Sequence, residues 1–154
     1  MRTIIHDLKD TSFLNLNSED LLVSDVNKSC IGCFNCWVKT PFCCIHNDKI
    51  TNIGKLILDS DELIIISKCV DGSYSSKVKR IIERSISYVE PFFTIRNKEI
   101  HHLSRLSKKL NFKIYFYGDK DTLGHAMGKQ FRASLAILDE GFAKGILKEL
   151  KSRT

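Results

Sequence analysis

Residues 61–67 read Asp-Glu-Leu-Ile-Ile-Ile-Ser. Leu63, Ile64, Ile65 and Ile66 run consecutively, and three of the four are β-branched. No polar residue interrupts them, so a strand here would be buried on both faces. That pattern belongs to a central strand of a parallel sheet. Upstream, Thr3 to His6 can form a first short strand and residues 21–26 a second. The segment between them, Asp7 to Asp20, contains Asn15, Asn17 and Ser18 and lacks a helical stripe. It is expected to be a loop with at most a turn or two of helix. Downstream, residues 67–73 read as a loop. Val78, Ile81, Ile82, Ser85, Ile86 and Val89 then recur on one helical face, with Lys77, Lys79, Arg80, Glu83 and Arg84 largely elsewhere. Pro91 marks the exit of that helix.

Farther out the pattern continues. Ile50, Ile53, Leu56 and Ile57 share a helical face, with Asp48 or Thr51 near its N-terminus. Gly54 weakens that helix modestly. Residues 92–110 form a connection whose structure the pattern leaves open. Phe112 to Tyr117 is a further strand, followed by Gly118 and Asp119. Leu123, Met127, Phe131, Leu135 and Leu138 then recur at helical spacing, and Phe142, Ile146, Leu147 and Leu150 mark a last short helix. Strands alternating with helices predict an α/β domain, a parallel sheet flanked by helices, spanning 1–154. Ligands in such sheets sit beyond the C-terminal strand ends.

The chain has 154 residues, 43% hydrophobic and 27% charged. One domain of this length buries roughly 68–70% of the surface its unfolded chain exposes, so disulfides are not needed for folding. No apolar run approaches the roughly 18 residues that would span a bilayer. The start, MRTIIHDLKD, does not read as a secretory signal, so a cytoplasmic location and no membrane partner are expected. The net charge of +6 is spread along the chain, with local excess at 77–84 and 144–153. Nucleic-acid binding would want a concentrated basic footprint and a recognisable module, so it is not expected.

Five of the six cysteines fall within fifteen residues: 30, 33, 36, 43 and 44. Cys30-Ile-Gly-Cys33-Phe-Asn-Cys36 gives two successive C-x-x-C spacings, and Cys44 follows after seven residues. Segment 29–47 is too polar for a core element and should be a long ordered loop. Four thiolates so spaced are soft ligands suited to an iron–sulfur cluster, with Gly32 relaxing the turn. Zinc takes the same donors, usually as two separated pairs. Thiols without metal are the plain alternative, because a free cysteine also packs as a small hydrophobe. Cys43 beside Cys44 leaves the fourth donor ambiguous, and His46 is a further possible ligand.

The stretch Cys30 to Pro41, closed by Cys44 and Asp48, resembles the flavodoxin-like NAD(P)H-dependent FMN reductase family and the related iron–sulfur flavoproteins. Asp61 to Ile66 resembles that family's strand before its flavin-ring loop. Ser67, Gly72 and Ser73 match small residues of the loop, and Lys77 to Arg84 lie in its following helix. Asn97 to His102 resembles a segment of a clostridial-type branch, so the likeness spans about residues 20–120. The resemblance implies a doubly wound flavodoxin-like domain, commonly a homodimer. It implies FMN at the C-terminal strand edge, NADH or NADPH as electron donor, and an acceptor that the sequence does not name. In the iron–sulfur branch a 4Fe-4S cluster would be held here by Cys30, Cys33, Cys36 and Cys44.

Two stretches depart from the family. The usual Gly-Ser-Pro-Arg-like phosphate loop is replaced by His6-Asp-Leu-Lys-Asp-Thr-Ser-Phe13, and too little chain follows for a full first helix. Asp7 and Asp10 carry the wrong sign for a phosphate; Lys9, Thr11 and Ser12 compensate in part. The flavin-ring loop reads Ser67-Lys-Cys-Val-Asp-Gly-Ser73, without the family's stacking aromatic, although Tyr74 is adjacent. Backbone groups at Cys69–Ser73 are the expected ring contacts. Lys68 would offset charge on a reduced flavin or be a solvated lysine. Hydride transfer needs no side-chain base, so no catalytic residue is assigned. Trp37 reads as a pocket wall, a dimer edge or a packing anchor. His101 and His102 read as structural or solvent-facing, and His125 and Arg132 as surface or subunit-contact residues. The activity implied is an FMN-dependent NAD(P)H oxidoreductase or an electron-transfer flavoprotein. The alternative is a degenerate member without FMN, acting in binding, regulation or structure.

Overall fold

The computed structural model describes residues 1–24, 26–105, 109–119 and 123. Its elements are β1 (Arg2–His6), β2 (Leu21–Val23), α1 (Asn35–Val38), α2 (Ile53–Asp59), β3 (Glu62–Val70), β4 (Ser73–Tyr74), α3 (Ser76–Arg84), a 3-10 turn (Ile86–Tyr88), β5 (Val89–Arg96), β6 (Glu99–Ser104) and β7 (Asn111–Tyr117). The central sheet runs β2-β1-β3-β7 with every pair parallel, and β4 folds back antiparallel on the end of β3. Ile5 pairs with Ile65, which pairs in turn with Ile114, so the isoleucine run of β3 lies at the sheet's centre. The protein is therefore α/β with a mostly parallel sheet.

One face of the sheet carries the main core: Ile5, Val23, Leu63 and Ile65 against Ile50, Ile53, Ile57, Val78 and Ile81. Each such side chain fully buried contributes about 1.5–3 kcal/mol. Ser75 caps α3 by accepting the Val78 N–H at 3.4 Å. Helix α2 has no side-chain cap, but Asp48 and Thr51 build the turn before it: Asp48 accepts the Ile50 N–H, and Thr51 Oγ1 accepts the Asp48 N–H. Gly54 packs closely on the 3-10 turn: a Cβ there would stand 2.0 Å from Ser87 Oγ and 3.3 Å from Tyr88 N, so Ser87 would have to move.

Residues 7–20 contain turns and no helix; Leu14 N–H bonds to Thr11 O, and Asp20 N–H to Asn17 O. Arg2 grips Asp20, whose carboxyl is pulled down to about 2 mainly by that hydrogen bond. The parallel β1–β2 pair is thus closed by an ion pair where a helix would ordinarily cross.

Three expectations are corrected, and one segment left open is filled. Residues 67–73 are not an open loop: β3 continues to Val70 and turns back through Asp71 and Gly72. Both turn residues have positive φ (49° and 72°), the geometry of a two-residue hairpin. Helix α3 ends at Arg84, and Val89 opens β5. Pro91 lies inside β5, in a two-stranded sheet where one edge needs no donor. Residues 89–104 are an antiparallel hairpin closed by Asn97 and Lys98, both at positive φ. The helices expected over 123–138 and 142–150, with His125 and Arg132, lie outside the described residues apart from the buried Leu123.

Candidate functional site

The cysteine loop folds over the C-terminal end of α3. Its only regular element is the four-residue α1. Gly32, Phe34 and Phe42 have positive φ of 65°, 56° and 68°. Glycine adopts that conformation freely, whereas a bulky residue there is strained and needs outside support. The support is visible. Trp37 lies 5.2 Å from both the Phe34 and His102 rings and donates its Nε1–H to Ile86 O at 3.0 Å. Arg105 lies over the Phe42 ring at 5.1 Å and donates to the carbonyl of Trp37. Trp37 is thus a packing anchor that fastens α1 to the 3-10 turn and to β6.

This loop encloses one side of a concavity of ≈ 550 Å³. Cys30, Cys33, Cys36 and Cys44 all line it, together with His46 and Arg84; Cys43 does not. The Cys44 N–H bonds to Thr51 O at 2.7 Å, which fixes the main chain at that residue; Cys30, Cys33 and Cys43 are exposed and Cys36 and Cys44 half-buried. Burial pushes the Cys36 thiol up, and Cys44, Cys30 and Cys33 push it the same way through charge repulsion. The other three thiols are therefore within electrostatic reach of Cys36. Among the described residues no group of three or more His, Cys, Asp or Glu side chains converges to hold a single metal ion. His46 is engaged elsewhere, its Nε2 bonding to Ser29 O at 3.1 Å.

Arg84 lies beneath the loop at 2% exposure. Hydropathy placed it on the outer face of its helix, and the structure corrects that. Its guanidinium forks onto Asp48 at 2.6 and 2.7 Å and reaches the carbonyls of Lys28 and His46. The pair is mutual: Arg84 holds the Asp48 carboxyl below the usual carboxylate range, and Asp48, then Cys44, favour the charged guanidinium. A buried cation is retained only when so paired. Sequence reasoning missed it because Asp48 lies 36 residues away.

The nine residues expected at a flavin are split between two places. Lys9, Thr11 and Ser12 lie in the loop after β1, with Lys9 and Ser12 exposed. Asp10 accepts both the N–H and the Oγ–H of Ser12 at 2.9 Å, which lowers the Asp10 pKa. Ser67, Lys68 and Cys69 lie in β3, and Gly72, Ser73 and Tyr74 in the hairpin that follows. Ser67 Oγ accepts from Ser75 N–H and donates to Lys68 O. The Lys68 N–H points at both carboxylate oxygens of Asp7 at 3.1 Å. Cys69 and Ser73 pair with Tyr74 and Val70 across the hairpin, and Tyr74 stacks on Phe116 at 5.2 Å. Asp7 also donates its N–H to Ile66 O and accepts from Tyr117 Oη at 3.4 Å, so one residue joins the ends of β1, β3 and β7. Beside it His6 is 3% exposed with both ring nitrogens unpartnered among the described residues, and burial lowers its pKa.

On the hairpin, His102 Nδ1 meets Glu90 O at 2.9 Å, and His101 lies 3.3 Å from Glu99 at the surface. His102 is half-buried and His101 exposed. Tyr88, Phe92 and Phe93 are exposed rather than in the core. Among the described residues no helix is long and apolar enough to cross a membrane. In comparisons with known proteins, no family model, no curated protein and no solved structure matches the chain.

Proposed function

We propose that this chain is a flavodoxin-like electron-transfer protein whose redox group is a 4Fe-4S cluster held by Cys30, Cys33, Cys36 and Cys44. The observation that carries the reading is that these four cysteines line one concavity from which adjacent Cys43 is absent. Two aromatic residues held at positive φ support it, because such strain is kept where a loop must hold a set geometry. The buried guanidinium of Arg84 supports it too, as a fixed positive charge beside a group that gathers negative thiolates. The strand order β2-β1-β3-β7, all parallel, supports the flavodoxin-like assignment.

When bound, such a cluster accepts and releases single electrons at a potential set by hydrogen bonds, charge and solvent exposure. The chain's own part is to supply the thiolates, to tie the Cys44 main chain to the Thr51 carbonyl, and to hold α1 in place through Trp37. Exposed Cys30 and Cys33 leave a short path to a partner's redox group.

Anaerobic purification, followed by iron and acid-labile sulfide analysis, tests the reading. About four of each per chain are expected. Alanine at Cys30, Cys33, Cys36 or Cys44 should abolish retention, and Cys43→Ala should not. One zinc per chain, or thiols that stay metal-free after anaerobic reconstitution, would refute it.

A second reading, an FMN-dependent NAD(P)H oxidoreductase using NADH or NADPH, draws on the same strand order. That order brings the C-terminal ends of β1, β3 and β7 to one edge, where a flavin would lie. A homodimer is proposed on either reading. The exposed Phe92, Phe93, Ile95 and Ile100 of the β5–β6 hairpin support it, and sedimentation velocity tests it.

A further inference from the structure

The geometry points to a sheet edge that the chain's own carboxylates close against phosphate, so that the protein works without a bound flavin nucleotide. This inference rests on the flavodoxin-like reading, which locates the edge, and is independent of the cluster.

A phosphate on an α/β edge is held by free backbone N–H groups, by hydroxyls and by the N-terminus of a following helix. The helix is missing, and the main amide and hydroxyl donors nearest the strand ends are already engaged within the chain. No helix follows β1 within residues 7–20. The Ser12 N–H and Oγ–H are both bonded to Asp10 at 2.9 Å. The Lys68 N–H, at the end of the central strand, faces both oxygens of Asp7 at 3.1 Å. The Ser67 hydroxyl is used twice within the chain. Ser73, where a ring contact was expected, pairs with Val70 across the β3–β4 hairpin.

Charge acts in the same direction. Two carboxylates already sit on the amides a phosphate would need, and a dianion brought beside them meets like charge at short range. Lys9 and Lys68 carry the opposite sign, but both side chains are exposed and their attraction is screened. Hydrogen bonds from amide to carboxylate are charge-assisted and strong. An incoming phosphate would therefore have to displace bonds of the kind it offers. Asp7 has a structural use besides, since its main chain joins three strands. The two aspartates thus do in one covalent piece what a bound anion does in a flavin-binding edge.

The test is titration of the purified full chain with FMN, followed by quenching of flavin fluorescence, with inorganic phosphate as competitor. Wild type is compared with Asp10→Gly and with Asp7→Asn/Asp10→Gly. Asp10→Gly alters an exposed loop residue and frees the Ser12 donors, so its thermal melt should match wild type and show it folded. Wild type should give no saturable quenching up to about 100 μM FMN, a weak-binding limit of about −5.5 kcal/mol. Asp10→Gly should bind FMN at least ten-fold more tightly than wild type, with phosphate competing. Stoichiometric FMN binding by wild type overturns the inference. So does an Asp10→Gly protein that melts normally and binds no better than wild type, because the carboxylate would then not be the barrier. Iron and sulfide measured on the same samples separate the two proposals. Flavin with an intact cluster sinks only the closed edge, and neither flavin nor cluster sinks only the electron-transfer assignment.

Discussion

The cysteine loop and the C-terminal edge of the sheet meet charge in opposite ways. Under the loop, a buried cation faces a hollow lined by thiols, and its one carboxylate partner lies to the side. At the edge, two carboxylates fold back onto the chain's own amides and take the Ser12 and Lys68 N–H groups away from a ligand's phosphate. The first region spends backbone strain at Phe34 and Phe42 to hold an open shape. The second uses turns stabilised by aspartates and a hairpin whose one non-glycine positive φ falls at Asp71, a residue type that tolerates it. Strain kept in one place and satisfied donors in the other distinguish a region built to receive something from a region built to stay shut.

The largest test of this contrast is Arg84→Met. The change removes a fully buried guanidinium and leaves Asp48 without its partner under the loop. A loss of about 3 kcal/mol in urea unfolding is expected, as for other broken buried pairs. Arg84→Lys keeps the charge but cannot fork, and should recover only part of that loss. A loss below about 1 kcal/mol for Arg84→Met would mean that the loop does not depend on the cation beneath it.

Next in size is Trp37→Leu. Leucine keeps an apolar side chain but loses the bond to Ile86 O and the ring contacts with Phe34 and His102. About 1–2 kcal/mol should be lost. The informative readout is the accessibility of the thiols to a reagent. Cys36 should react several-fold faster once α1 is loosened, whereas Cys69, 3% exposed in β3, should not change. Equal change at both would make Trp37 a general stability residue rather than the clasp of this loop.

How much of this was legible differs between the two regions for physical reasons. The run at 63–66 announced a central parallel strand because burial on both faces leaves no polar alternation. The cysteine spacing announced a ligand-like loop, but not which of Cys43 and Cys44 faces inward. That is set by the backbone path of the loop, which includes a positive φ at Phe42 and a Cys44–Thr51 hydrogen bond that spacing does not record. The β5–β6 hairpin escaped because its turn, Asn97-Lys98, lacks the glycine that usually marks one, and Pro91 reads as a breaker. Arg84 escaped because hydropathy assigns a cation to solvent unless its partner is known. At the edge the signs of Asp7 and Asp10 were plain, yet only the fold shows that these carboxylates already hold the amides.

The buried floor of the edge gives a pH test. His6 lies next to Asp7, buried and without a hydrogen-bond partner among the described residues, and its folded pKa falls below the ordinary 6.5. Below pH 6.5 the unfolded chain takes a proton that the folded chain refuses. Stability is then full above pH 6.5 and is lost as pH falls toward the folded value. One proton sets an upper slope of about 1.4 kcal/mol per pH unit. Urea midpoints at pH 7.5 and 5.5 should therefore fall farther for wild type than for His6→Leu. Parallel behaviour of the two proteins would place water at His6 and an opening in the edge above it.

The smallest effect separates charge from geometry at the edge itself. The Asp10 carboxyl is held below its ordinary value by the N–H and hydroxyl of Ser12. Its contribution is therefore present above about pH 4 and is lost as pH falls through the lowered folded value. Asp10→Asn keeps an oxygen for the same N–H but cannot titrate. The residue is exposed, so the two proteins should melt within a degree or two of each other at pH 7. Below pH 4 the gap should move toward the variant, because only wild type has a favourable charge to lose. A large gap at neutral pH would mean that the Asp10 charge supports the fold as Arg84 does under the loop, and the two regions would then differ in sign alone. A small gap, together with the gain in FMN binding expected of Asp10→Gly, would mean that this carboxylate acts on ligands far more than on stability.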